Sequence, residues 1–106
     1  MFGKILNFKF TSISEAKLAA SFCSEKFGSK ISEYNIVGLN IFISQSGDLN
    51  VSIKFENPDA LKSFESNYLN IIADLKGSLV FKENNFVGVC TFTVSYTHLR
   101  AHETHP

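Results

Sequence analysis

Histidine and arginine are missing from residues 1–93, and tryptophan from the whole chain. Without histidine, this stretch has no base for a Ser–His or Cys–His nucleophile and no imidazole to hold zinc or haem. Its cysteines, Cys23 and Cys90, are too few and too far apart for a metal knuckle or a CxxC redox pair. Buried free thiols are the expectation, and unpaired cysteines fit a cytoplasmic protein. Net charge is missing too: nine lysines face nine acidic residues in residues 1–93, so there is no basic footprint for nucleic acid or an anionic membrane. No apolar run approaches a membrane span. The segment Met1–Phe10 is broken by Lys4, Asn7 and Lys9 and leaves no secretory core. Gly38, Gly77 and Gly88 lack phosphate-loop spacing and fit turns, caps or close packing.

What is present is a legible alternation of strand and helix patterns. Leu6, Phe8 and Phe10 alternate with Asn7 and Lys9, the period of a half-buried strand. Ser12 stands three residues before Glu15, a capping-box spacing. The stripe Leu18, Ala19, Phe22, Cys23, Phe27 then predicts a helix over 13–27, with Gly28 as the left-handed residue that ends it. Val37, Leu39, Ile41 and Ile43 make one face of a strand, with Ile36 and Phe42 on the other. Leu49, Val51, Ile53 and Phe55 make a face of the next, whose polar side is Asn50, Ser52, Lys54 and Glu56. Turn chemistry at Gln45-Ser46-Gly47-Asp48 joins them as a hairpin.

Asn57-Pro58 reads as an N-cap followed by proline at the first helical position. Leu61, Phe64, Tyr68, Ile71, Ile72 and Leu75 recur at helical spacing until Gly77. Beyond it, Leu79-Val80-Phe81 and Phe86 to Phe92 are apolar, separated by Lys82-Glu83-Asn84-Asn85, which can turn. Either both flanks are strands or only the second is. The order predicts an α+β fold of ferredoxin-like plait type, β-α-β-β-α-β, with helices on one face of an antiparallel sheet. A last strand apolar on both sides, and apolar side chains on both faces of the second strand, would leave a patch for a second copy to cover, so a homodimer is expected.

All three histidines and the one arginine lie in the tail. The run Val94-Ser95-Tyr96-Thr97-His98-Leu99-Arg100-Ala101-His102-Glu103-Thr104 resembles the translation of a sequencing adapter. The resemblance implies one domain over 1–93, truncated at its C-terminus near Thr93, and an artefactual or disordered tail over 94–106.

A second resemblance lies in Ile53-Lys54-Phe55-Glu56-Asn57-Pro58-Asp59-Ala60-Leu61-Lys62-Ser63-Phe64-Glu65-Ser66-Asn67-Tyr68. There a strand ends in an aromatic, a short polar link follows, and the next helix carries Ala-Leu-x-x-Phe before another aromatic. This segment resembles the antibiotic-biosynthesis-monooxygenase group of dimeric α+β barrel proteins. The resemblance implies sheets paired about a two-fold axis and a small organic molecule held between sheet and helices. It also touches the haem-degrading branch at Asn7, but Phe64 stands where that branch has tryptophan, and no histidine stands near Ala73. Haem degradation is therefore not expected, and no metal or other cofactor is called for.

Two functions of different class follow. One is binding of a small apolar molecule, or a cofactor-independent monooxygenase-like reaction in which the substrate supplies the electrons and Asn7, Phe64 and Tyr68 orient it. The other is a non-catalytic dimerisation or regulatory module with the same fold, its interior filled by phenylalanine. The eleven phenylalanines favour a filled core. Tyr34 and Tyr68 carry hydroxyls beside apolar neighbours, and Glu33, Glu56, Asp59 and Glu65 are ordinary rim carboxylates that could act as acids or bases.

Overall fold

A computed structural model describes residues 1–94 of the chain. Six elements follow in the order β1 (Phe2–Lys9), α1 (Ile13–Gly28), β2 (Ile36–Ile43), β3 (Asp48–Phe55), α2 (Pro58–Lys76) and β4 (Lys82–Val89). The strands form one antiparallel sheet in the order β2-β3-β1-β4. This is the ferredoxin-like plait that the sequence predicts. The expectation for the tail falls, beyond Val94, outside the described residues.

Strand alternation decides which side chains meet the helices. Leu6 and Phe8 of β1 and Leu49, Val51, Ile53 and Phe55 of β3 are all buried on one face. α1 packs over β2 and β3, and α2 over β1 and β3. Both helix starts are capped as their sequences indicate. The Ser12 hydroxyl accepts the Glu15 N–H at 3.2 Å, and the Asn57 side-chain oxygen accepts the Ala60 N–H at 2.8 Å. The Glu15 carboxylate returns to the Thr11 N–H, one residue outside a standard capping box.

Gly47 is the position where backbone geometry demands glycine. Its φ is +95°, and a Cβ there would lie 2.8 Å from the Phe10 carbonyl oxygen. The β2–β3 turn thus docks against the end of β1, where the Phe10 N–H donates to the Gly47 carbonyl at 2.9 Å.

Several local expectations need correction. α1 ends at Ser29 in right-handed conformation, so Gly28 is not a left-handed terminator. Leu18 is exposed, and the buried stripe of α1 is Ala16, Ala19, Cys23 and Phe27, because the small residues let the helix approach the sheet. A register shift between Ile36 and Gly38 bulges β2 at Val37. Ile36 therefore shares the inner face with Leu39 and Ile41, while Val37 is exposed. Lys82 to Asn85 do not turn. They pair with Lys9 to Leu6 of β1 and form the first half of β4. Polar composition lost to an available ladder, because an edge strand can leave one side in water. Cys90 lies beyond β4 and is only partly buried. Phe42, Phe86 and Phe92 are exposed, so not every phenylalanine serves the core.

Candidate functional site

Lys4 has the same parity on β1 as Leu6 and Phe8, so its side chain points under α2. It is the buried charged residue of the described chain, at 2% exposure. Its ammonium donates to Glu65 Oε1 at 2.8 Å and lies 4.4 Å from the centre of the Tyr68 ring. Glu65 and Tyr68 are three apart on α2 and therefore share its sheet-facing edge. The Tyr68 hydroxyl donates to Glu83 Oε2 on β4, and the Asn85 amide donates to the same oxygen at 3.2 Å. Lys76, in the last turn of α2, stands 3.7 Å from Glu83 Oε1. Burial, and then the hydrogen bond and charge of Glu83, push the Tyr68 phenol far above its ordinary range. The phenol is consequently a neutral donor at any physiological pH.

Apolar surface flanks this polar group. Val87 is the register partner of Lys4 and Val89 that of Phe2, yet both valines are largely exposed. Leu69, on the β4 side of α2, is 71% exposed. The helix-side face of β4 is thus uncovered at Val87 and Val89, beyond the mostly buried Glu83.

Of the residues that sequence reasoning singled out, Tyr68 and Phe64 lie on the helix side and Asn7 does not. Asn7 is exposed on the opposite, open face, where its side-chain oxygen accepts the Asn50 amide at 2.8 Å. Phe64 is fully enclosed, its ring centre 5.1 Å from Phe55, 5.5 Å from Tyr34 and 5.6 Å from Phe27. It belongs to the packed interior, as does Tyr34. Cys23 is buried beneath α1, and desolvation pushes its thiol up to about 12, which suppresses thiolate chemistry.

The open face carries its own depression, about 220 Å³, with Gly3, Ile5, Phe86 and Gly88 among its lining. Gly3 and Gly88 are register partners, and a Cβ on either would meet only ordinary contacts at 3.6–3.7 Å. The fold does not demand glycine there; the pair simply leaves the surface hollow.

No protein-family model and no curated protein matches the chain. Solved structures do. A dimeric ferredoxin-like protein from an uncultured marine organism superposes with a TM-score of 0.70 at 18% identity, covering 90% of this chain and 99% of that one. A Deinococcus radiodurans protein described as an antibiotic biosynthesis monooxygenase gives 0.67 at 12%, with coverages of 90% and 99%. The chain shares the ferredoxin-like α+β fold of these structures. A Streptomyces coelicolor monooxygenase, ActVA-Orf6, solved in complex with nanaomycin D, gives 0.63 at 13%, with coverages of 89% and 92%.

Sequence reasoning passed over Lys4, Glu83 and Asn85. For Lys4 the signal was available: it sits at the inward parity of Leu6, Phe8 and Phe10, where a charge is out of place. Glu83 and Asn85 were hidden by the turn-like composition of their segment.

Proposed function

We propose that this chain is a homodimeric small-molecule-binding protein with monooxygenase-like chemistry, using the strip between α2 and β4. The observation that carries this reading is the Tyr68–Glu83 pair, a neutral phenol and a mostly buried carboxylate beside exposed Val87 and Val89. A phenol held neutral next to uncovered apolar surface is where chemistry concentrates. The substrate class that suits the pair is a small apolar molecule with a C–H made acidic by conjugation with a carbonyl. Glu83 takes the proton, and the freed Tyr68 hydroxyl then donates to the enolate oxygen. The carbanion reduces dioxygen, and a C–O bond forms as a hydroperoxide. Loss of water leaves a ketone, so that CH2 and O2 become C=O and H2O with no electron source besides the substrate.

Nanaomycin D, the ligand of the Streptomyces neighbour, is the binding probe of choice, and anthrone the oxidisable one. Titration followed by amide NMR should move residues of α2 and β4 around Tyr68. Tyr68→Phe should leave nanaomycin D binding within about twofold and slow oxidation about tenfold, the worth of one hydrogen bond of roughly 1.4 kcal/mol made only to the enolate. Oxygen uptake with anthrone should exceed the uncatalysed rate and fall in the same variant. Unmoved amides at Tyr68 and Glu83, with no added oxygen uptake, would sink the reading. The fully enclosed Phe64 would then favour a non-catalytic dimerisation module.

The homodimer part of the proposal rests on the open face, where Phe42 and Phe86 are 64% and 60% exposed and Ile5 is partly so. A face-to-face contact between two sheets would bury them. Sedimentation of the full chain at tens of micromolar should show a dimer, and Phe86→Asp should give a monomer without unfolding. A strictly monomeric parent protein at those concentrations is the result that rules the contact out.

A further inference from the structure

Lys4 is enclosed on almost every side, at 3% side-chain exposure, whereas its partner Glu65 is 39% exposed. The two halves of this ion pair are therefore unequal. The cation is fixed by a central strand paired on both sides. The anion reaches in from the rim of α2 on a flexible side chain. A buried ammonium requires an anion, but nothing requires that the anion be Glu65. The other nearby carboxylate, Glu83, is already engaged by Tyr68, Asn85 and Lys76. Beside the pair, Val87 sits directly across the ladder from Lys4 and is 45% exposed, with Val89 and Leu69 more open still. A buried positive charge bordered by uncovered apolar surface complements an apolar ring bearing one carboxylate.

We infer that Glu65 is a displaceable internal anion, and that the substrate of this site is a small aromatic monoanion whose carboxylate takes the place of Glu65 on Lys4. This rests on the reading of the α2–β4 strip as a ligand site and adds the charge of the ligand. Displacement moves the Glu65 carboxylate into water, to which it already has access, and keeps the Lys4 ammonium paired throughout. Lys4 acts here by recognition, while proton transfer stays with Glu83 and Tyr68.

Naphthoate and methyl naphthyl ketone, similar in shape and different in charge, separate the two readings when titrated into the full chain. Glu65→Gln keeps an oxygen near Lys4 but removes the competing charge. It should tighten naphthoate about tenfold and leave the ketone within about twofold. Lys4→Met should abolish the preference for naphthoate without loss of ketone binding. In the parent protein, naphthoate should shift the Glu65 side-chain carboxyl carbon toward its solvent value, and the ketone should not. That spectroscopic result stands even if Glu65→Gln does not fold. Ketone binding with no gain for naphthoate in Glu65→Gln, or an unmoved Glu65 carboxyl signal at naphthoate saturation, overturns the inference and leaves the ligand site intact. If neither compound binds any variant, the site and the inference fall together.

Discussion

Replacing Phe64 by alanine should cost about 3 to 5 kcal/mol of folding stability, the range for deleting a buried aromatic ring. The ring is fully enclosed, with Phe27, Tyr34, Phe55 and Tyr68 packed around it from α1, the α1–β2 connection, β3 and α2. Those neighbours are held by four separate segments, so they cannot all close on the space left by one ring. Much of the loss is then cavity cost rather than transfer alone. A domain of this size commonly has only about 5 to 15 kcal/mol in total, so the variant should be partly unfolded at modest denaturant. Lys62→Ala, on the exposed face of α2, should change stability by less than about 0.5 kcal/mol. Urea midpoints of the two variants give the comparison, and equal shifts would mean that the helix buries a different face.

The second large effect is an asymmetry across the Lys4–Glu65 pair. Glu65→Ala strands a buried ammonium and should cost about 3 kcal/mol, the lower end for breaking a buried pair, because Glu65 itself is partly solvated. Lys4→Met removes the buried charge, keeps a side chain of similar length under α2, and frees a carboxylate that can turn into water. Its cost should be near zero, within about 1 kcal/mol of the parent in either direction. An exposed ion pair behaves otherwise, with both single changes costing less than about 1 kcal/mol. Urea denaturation of the two variants reads the difference. Two equally small losses would place Lys4 in contact with water and remove the physical basis for its role as an anion receptor.

The amphipathic stripe of α2 was legible residue by residue. Leu61, Phe64, Tyr68, Ile71, Ile72 and Leu75 are all buried, and Asn57 caps the helix as its position implies. β3 was equally plain, since a strict alternation over a full strand leaves one register that buries its apolar side chains. The candidate site was only half legible. Tyr68 and the rim carboxylate Glu65 stand in it, but Phe64 belongs to the core and Asn7 to the other face of the sheet. The remaining members, Lys4, Glu83 and Asn85, come from two strands that are adjacent in space and about eighty residues apart in the chain.

By itself, the sequence determined what local periodicity and capping can encode: two helices, the β2–β3 hairpin, the first strand, and the order in which they follow. These features arise among neighbours along the chain, where a period of two or of 3.6 decides which side chains share a face. Only the tertiary structure decided the rest. Lys82 to Asn85 became strand because β1 offered a ladder for their backbone groups, and a single bulge at Val37 moved Ile36 to the inner face. Lys4 became an enclosed cation because α2 came to lie over β1. Each of these outcomes depends on a partner distant in sequence, and no local pattern carries the free energy of a contact that has yet to form.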